Sequence, residues 1–148
     1  MSRQLSAWAV ELLATARVAR LATVDVAGQP LAVPVCYAVV GERLYSAVDA
    51  KPKRSNDLRR LRNIADNPRV SLIVDVWDED WQRLRWVRVD GTAAVVPEGA
   101  ERTRALAALV AKYPQYAAMQ LAAVAGPVIA ITAARIAAWR GDERGSDA

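Results

Sequence analysis

The sequence contains no histidine, and this absence excludes several common kinds of catalytic and metal site. Serine or cysteine nucleophiles activated by histidine are ruled out, as are histidine-ligated metals and the usual general base near neutral pH. Cys36 is the only cysteine, so neither an intramolecular disulfide nor a cysteine-based zinc site is possible. We therefore expect no metal centre, and a reducing, cytoplasmic setting fits this cysteine content.

Signals for secretion or membrane insertion are also missing. Residues 1–6 lack the apolar core of a signal peptide. The longest uncharged stretch, Tyr113 to Ala134, is long enough to cross a bilayer, but it contains Pro114 and the pair Gly126-Pro127. We interpret it as a short helix, a turn and a strand, and we expect a soluble protein without a membrane span.

Length and composition predict one globular domain over residues 1–148. Hydrophobic residues make up 53% of the 148 residues and charged residues 24%, which is enough apolar material for a real core. The net charge of +4 favours anionic partners without singling out nucleic acid. Residues 141–148 are polar, and we expect them to form a frayed tail.

Apolar periodicity predicts a mainly β (α+β) fold, a six-stranded antiparallel β-barrel with flanking helices. Pro34 lies inside the second strand and has no amide hydrogen, so it predicts an edge, a bulge or a ligand-facing gap. Gly91 indicates a bulge in the fifth strand. Helices are predicted at about 5–16, 55–67 and 99–111, with a shorter one after Pro114, and strands at 18–26, 31–40, 43–49, 69–77, 84–96 and 128–139.

A basic tract, Lys51-Pro52-Lys53-Arg54, joins the third strand to the helix that begins at Ser55. It holds two of the three lysines in the chain. Cationic side chains beside the free N–H groups of a helix start are typical of a phosphate site. Lysine would act there as a point charge and arginine as a planar fork. The alternative is an ordinary solvated basic face.

The helix after this tract has a mixed pattern. Leu58, Leu61 and Ile64 predict its buried stripe, whereas the arginines at 59, 60 and 62 are expected to lie mostly off that stripe. Nucleic-acid binding through residues 51–62 is disfavoured, because the tract has no interleaved exposed aromatic residues.

Several segments occur in a recognisable order. They are Arg20-Leu21-Ala22-Thr23, Pro34-Val35-Cys36, Tyr45-Ser46-Ala47-Val48-Asp49, the basic tract, residues 58–64 and Asn67-Pro68-Arg69-Val70. Over roughly residues 5–140 they resemble the pyridoxamine 5′-phosphate oxidase-like split β-barrel proteins. Within that superfamily the chain is most similar to the actinobacterial branch that binds the deazaflavin coenzyme F420.

This resemblance implies a homodimer with two cofactor sites at the subunit interface. The cofactor ring would lie against the second and third strands, and its phosphate would meet the basic tract. Trp77 and Trp86 are weaker candidates that would reach the site from the partner subunit. The implied cofactor-binding residues are Pro34, Val35, Cys36, Ala47, Val48, Asp49, Lys51, Lys53, Arg54, Asn56, Trp77 and Trp86.

Each of these residues also has an ordinary explanation. Pro34 fits an edge strand, and Asp49 fits the cap of a turn. The valines, Cys36 and Ala47 fit a core, and tryptophans most often serve packing. One departure from the family pattern is that the phosphate turn here is richer in lysine than the Arg-Lys pair of the flavin mononucleotide oxidases. The lack of histidine sets pyridoxal phosphate oxidation aside.

The leading function is an F420-dependent oxidoreductase that transfers hydride between reduced deazaflavin and a small unsaturated or planar substrate. A chain without histidine can do this because the cofactor supplies the difficult chemistry. Tyr37, Tyr45 or ordered water would supply the proton, and the catalytic residue stays open. The alternatives are an oxidoreductase that binds flavin mononucleotide (FMN) and a non-catalytic F420 carrier.

Overall fold

The computed structural model describes residues 5–48 and 55–143, and of residues 55–58 it describes the backbone alone. Their elements follow the predicted order closely. The helices are α1 (Ala7–Thr15), α2 (Ser55–Asp66), α3 (Ala100–Lys112), α4 (Pro114–Ala118) and α5 (Leu121–Val124), with a short 3-10 helix at Trp81–Arg83. The strands are β1 (Ala19–Val24), β2 (Pro30–Val35), β3 (Ala38–Val40), β4 (Arg43–Ala47), β5 (Arg69–Val76), β6 (Arg85–Val95) and β7 (Val128–Arg140).

The strands form one antiparallel sheet in the order β2-β1-β5-β6-β7-β4-β3. The two strands at the ends of this order, β2 and β3, are consecutive in sequence and are separated only by Cys36 and Tyr37. The ends of the sheet must therefore come back together, and the sheet curls into a barrel.

The sequence predicted six strands, and the structure corrects that number to seven. The single strand expected at 31–40 is interrupted at Cys36 and Tyr37, because its first half pairs with β1 and its second half with β4. Residues 31–40 are apolar without a break, so the pattern alone gave no sign of the interruption.

Alternate residues of the strands fill the barrel. Leu21, Leu72, Val74, Val87 and Val89 are fully buried inside it. A second apolar cluster lies between α3–α5 and the strands β3, β4 and β7, and includes Tyr45, Leu109 and Val128. The two clusters meet along the strands that flank the interruption.

Gly91 lies at the predicted bulge, where the β6–β7 register shifts between Asp90 and Gly91. A Cβ atom at this position would lie 2.0 Å from the carbonyl oxygen of Thr132 on β7. Only glycine permits this close approach of two backbones.

Helix α2 packs against β1 and β6. Asn63 of α2 donates a hydrogen bond of 3.0 Å to the hydroxyl of Thr23, and both side chains are buried. Arg59 and Arg62 are exposed as expected, but Arg60 is only 6% exposed, so that part of the expectation is wrong. Arg60 precedes the buried Asn63 by three residues, and helical geometry places the two on the same face.

Within the part of the chain that the structure describes, no helix is both long and apolar enough to cross a membrane.

Candidate functional site

The candidate site lies at the interruption between β2 and β3, and we call the space between the ends of β2 and β4 the cleft. From Cys36 and Tyr37 the chain runs one way into β2, which pairs only with β1, and the other way into β3, which pairs with β4. The walls of the cleft are therefore the end of β2 and the end of β4. Pro34 stands opposite Arg20 on the edge strand β2, which confirms one of the three positions that its missing amide hydrogen predicted.

The five described residues expected to line a cofactor ring lie on these two walls. Pro34 is exposed, Cys36 and Ala47 are half-buried, and Val35 and Val48 are buried. Cys36 and Ala47 both pack against the apolar cluster under α3, which brings the two walls together at one end. Pro34, Cys36 and Ala47 thus have surface available to a ligand.

The basic tract falls between two described elements. Strand β4 ends at Ala47 and helix α2 begins at Ser55, so the chain passes from strand to helix where the sequence predicted it. Asp49, Lys51, Lys53 and Arg54 lie outside the described residues. The backbone of Asn56 belongs to the first turn of α2, and its side chain lies outside the description.

Within one chain, Trp77 and Trp86 lie apart from the candidate residues at the ends of β2 and β4. Trp77 follows β5 directly and is 65% exposed, with its indole nitrogen donating to Glu79 at 3.1 Å. Trp86 lies on β6, opposite Trp139 of β7 and Asp75 of β5. At least one intervening strand separates β5 and β6 from both β2 and β4.

The main chain of Tyr37, at the interruption, is held by side chains from the end of α3. Its amide N–H donates to the hydroxyl of Tyr113 at 3.2 Å. Its carbonyl accepts from Lys112 Nζ at 2.9 Å, and the Tyr113 hydroxyl lies 3.2 Å from the same oxygen and 3.0 Å from the Arg17 carbonyl. These bonds replace the ladder hydrogen bonds that Tyr37 would make in a continuous strand.

Lys112 occupies an unusual electrostatic position. Its Nζ atom lies 3.9 Å from the centre of the Tyr37 ring and 5.3 Å from that of Tyr113. Burial and the nearby Arg17 guanidinium lower the pKa of Lys112 to about 8, against a smaller opposite effect of Cys36. This is the one lysine outside the basic tract, and that isolation was the sequence signal that could have drawn attention to it.

The other wall is held from the beginning of the same helix. The Val48 N–H donates to the Pro127 carbonyl at 2.9 Å, and the Gly126 N–H donates to the Val48 carbonyl at 2.8 Å. Arg102 of α3 donates from Nη1 to the Gly126 carbonyl at 3.0 Å and from Nη2 to the Ala125 carbonyl at 3.2 Å. No motif in the sequence pointed to Arg102, because its partners are loop carbonyls far along the chain.

The two tyrosines considered as proton donors are both engaged inside the protein. The Tyr37 hydroxyl is buried and donates to the Leu13 carbonyl, and burial together with Tyr113 raises its pKa. The Tyr45 hydroxyl donates to Glu101 Oε1 at 2.8 Å, and burial is the main cause of its raised pKa. Neither hydroxyl is free to face a molecule in the cleft.

A second concavity lies on the outer face of the sheet near the bulge. It has a volume of about 540 Å³ and is lined mainly by β1, β5 and β6, including Ala22, Ser71 and Asp90. Asp90 accepts from the Ser71 hydroxyl and pairs with Arg88 at 3.1 Å. Among the described residues, no three histidine, cysteine or acidic side chains are grouped as a metal site would require.

Comparison with known proteins gives consistent matches. A family model described as "Pyridoxamine 5'-phosphate oxidase" matches residues 5–140. The 5a,11a-dehydrotetracycline/5a,11a-dehydrooxytetracycline reductase of Streptomyces rimosus is 36% identical over 86 residues. That alignment covers 57% of this chain and 59% of the reductase, so the chain matches less than two thirds of that relative.

Two solved structures show the same fold at similar levels of identity. A heme binding protein from Mycobacterium smegmatis superposes with a TM-score of 0.71 at 25% identity, over 91% of this chain and 54% of that one. An FAD-binding protein from Mesorhizobium loti superposes with a TM-score of 0.65 at 27% identity, over 90% of this chain and 92% of that one.

Proposed function

We propose, from the premise that this chain belongs to the pyridoxamine 5′-phosphate oxidase family, that it is an oxidoreductase that uses the deazaflavin coenzyme F420. The coenzyme ring would occupy the cleft between the ends of β2 and β4. Its phosphate would meet Lys51, Lys53 and Arg54, with Asn56 close by.

One observation carries this proposal. The open end of β4, at Ala47, and the start of α2, at Ser55, bracket the densest cluster of lysine in the sequence. The first turn of a helix presents free N–H groups and the positive end of the helix dipole. A cationic tract that enters such a turn from beside an apolar cleft suits a ligand with a planar ring and a phosphate.

The cleft residues fit such a ring. Pro34, Cys36 and Ala47 are small and uncharged, and they have exposed surface. A flat aromatic ring can pack on such surfaces while its polar edge meets main-chain groups. When bound, reduced deazaflavin supplies a hydride, and the protein binds, orients and shields the reacting atoms.

The substrate class follows from the reductase relative. Its name describes a reductase of dehydrotetracyclines, and a dehydro compound has a double bond that its reduced form lacks. We therefore infer a substrate in which a carbon–carbon double bond is conjugated to a carbonyl. Reduction adds a hydride to one carbon and a proton to the other. Water at the open cleft supplies the proton, because the Tyr37 and Tyr45 hydroxyls are engaged inside the protein.

The proposal includes a homodimer. The outer face of the sheet carries Trp86 opposite Trp139, with the exposed Trp77 at the same end. Aromatic residues on an exposed sheet face are typical of protein interfaces. In a dimer, Trp77 and Trp86 would reach the cleft of the partner, which they do not reach in their own chain.

The decisive experiment titrates the purified protein with F420 and follows coenzyme fluorescence polarisation. Lys53→Ala and Arg54→Ala each remove a charge-assisted contact worth roughly 1.5–3 kcal/mol, and should weaken binding about tenfold to a hundredfold. Arg59→Ala is the matched control, because Arg59 is an exposed arginine on α2. If the parent protein leaves coenzyme polarisation unchanged at tens of micromolar, the proposal fails. Equal binding by all three variants would refute the phosphate assignment alone.

FMN is the second candidate cofactor, and the FAD-binding relative from Mesorhizobium loti favours a flavin. This alternative requires a yellow protein when the chain is produced in a host without deazaflavin. A colourless protein that ignores added FMN would rule it out. Tight F420 binding without reduction of any enone, quinone or nitroaromatic would instead indicate a carrier. Heme, which the Mycobacterium smegmatis protein binds, would have no histidine ligand in this chain, since the sequence has no histidine.

A further inference from the structure

We propose that α3 is a brace that fixes the width of the cleft, and that Arg102 and Tyr113, with Lys112, are positioning residues for the coenzyme. This inference rests on the proposed function for its ligand. It concerns residues that touch neither the ring nor the phosphate in that proposal. They hold the main chain of the two walls that do.

The beginning of α3 holds the β4 wall. The side chain of Arg102 is only 14% exposed, and its guanidinium bridges the carbonyls of Ala125 and Gly126. The turn that contains these carbonyls exchanges two hydrogen bonds with Val48, the last described residue before the basic tract. Arg102 therefore anchors the turn that holds Val48, at the end of the β4 wall.

The end of α3 holds the β2 wall. Tyr113 and Lys112 satisfy the amide and carbonyl of Tyr37, the residue next to Cys36. Without these partners the main chain at the interruption would have two buried polar groups with no ladder to join.

Both anchors belong to one rigid element. Residues 102 and 112 are ten positions apart on a continuous helix, which separates them by about 15 Å along its axis. A helix of this length transmits the position of one end to the other, so α3 couples the positions of the two walls. The sheet links them only through Cys36, Tyr37 and the β3–β4 ladder, because β2 and β4 are not paired with each other.

The experiment uses two readouts on the full chain at constant pH. The first is the Kd for F420 of Arg102→Ala, Arg102→Lys and Tyr113→Phe. The second is the rate at which Cys36, the sole cysteine, is alkylated by iodoacetamide in the absence of coenzyme, followed by mass spectrometry. Arg104→Ala is the charge-matched control on an exposed position of α3. Val74→Ala, in the barrel core on β5, controls for lower stability alone.

We expect Arg102→Ala and Tyr113→Phe each to weaken F420 binding about tenfold. Arg102→Lys should bind F420 nearly as weakly as Arg102→Ala, since an ammonium group cannot bridge two carbonyls as a guanidinium does. Arg102→Ala should also speed alkylation of Cys36 by about threefold or more through local opening. The alkylation rate of Tyr113→Phe is interpreted only beside that of Arg102→Ala, because the Tyr113 side chain interacts directly with Cys36. Both control variants should bind F420 and react with iodoacetamide as the parent does, at temperatures well below unfolding.

The outcomes separate the brace from the proposed function. If the parent binds F420 and the Arg102 and Tyr113 variants match it in both readouts, the brace is refuted. If Val74→Ala weakens binding as much as they do, the effect is one of stability and the brace is likewise refuted. If the parent binds no F420, the proposed function fails and the alkylation rate of Arg102→Ala alone decides: a faster rate supports the brace and an unchanged rate overturns it.

Discussion

The Nζ atom of Lys112 lies over the ring of Tyr37 and donates to the carbonyl of the same residue. One side chain thus contacts both the aromatic face and the main chain of the residue at which the barrel opens. The contact with the ring is a cation–π interaction, which requires the ammonium form of lysine.

The pKa of Lys112 should make stability depend on pH in a defined window. Its folded-state pKa is about 8 and the ordinary value is 10.5, so between these limits the unfolded chain binds more protons. The free energy of unfolding attributable to Lys112 therefore rises as pH increases from about 8. Because the ammonium is partly solvated, we expect a gain of about 1 kcal/mol.

Urea unfolding of the parent and of Lys112→Met at pH 7 and pH 9.5 measures this gain as a difference. At pH 9.5 the hydroxyls of Tyr37 and Tyr113 remain protonated in the folded protein, because burial raises their pKa values. Arg17 and Cys36 are present in both proteins, so the difference between the two reports Lys112 together with its coupling to these two neighbours. An unchanged difference between the two pH values would contradict the lowered pKa.

Tyr37→Phe should destabilise the protein although it retains the aromatic ring. The buried hydroxyl donates to the Leu13 carbonyl at the end of α1, and its removal leaves that carbonyl unmatched. The expected loss is about 1–3 kcal/mol in the free energy of unfolding. Tyr45→Phe is the comparison, since its partner Glu101 stays near solvent and keeps Arg43, so we expect a smaller loss. Equal losses from the two variants would be inconsistent with a special role for the buried bond.

Gly91→Ala should destabilise the folded protein although it adds only one methyl group. The added methyl group would meet the Thr132 carbonyl carbon at 2.9 Å and its oxygen at 2.0 Å, so β6 and β7 must move apart. Overpacking of this kind costs about 1–3 kcal/mol. This loss of stability is measured by thermal unfolding of Gly91→Ala, with Thr92→Ala at the exposed neighbouring position as the control. A melting temperature equal to that of Thr92→Ala would show that the bulge accepts a side chain.

Most of the fold was predictable because it is encoded locally. Strand alternation, the bulge at Gly91 and the helix start at Ser55 each depend on a few consecutive residues, and all three are observed. The interruption at Tyr37 was not predictable in this way. Its amide and carbonyl are satisfied from residues 112 and 113, about halfway along the chain from it, and no local pattern records that contact.

The candidate site was predictable only in part, for a similar reason. The wall residues Pro34, Cys36 and Ala47 could be placed because each lies at a strand end. Arg102, Lys112 and Tyr113 were missed because they act on carbonyls and an amide, and backbone groups have no signature in a sequence. Arg60 was predicted to lie mostly off the buried stripe because its side chain is charged, although its position in the helix places it on the same face as the buried Asn63.

The segment from residue 96 to residue 127 joins β6 to β7, two antiparallel neighbours that a tight turn would connect equally well. The sheet does not need α3, α4 or α5 for its own continuity. Under the brace proposal, a change in the length of this segment or in the tilt of α3 would alter the distance between the two walls, while every strand kept its register. Under the brace proposal the choice of ligand depends on this one connection, which through its apolar cluster with β3, β4 and β7 also belongs to the folded core.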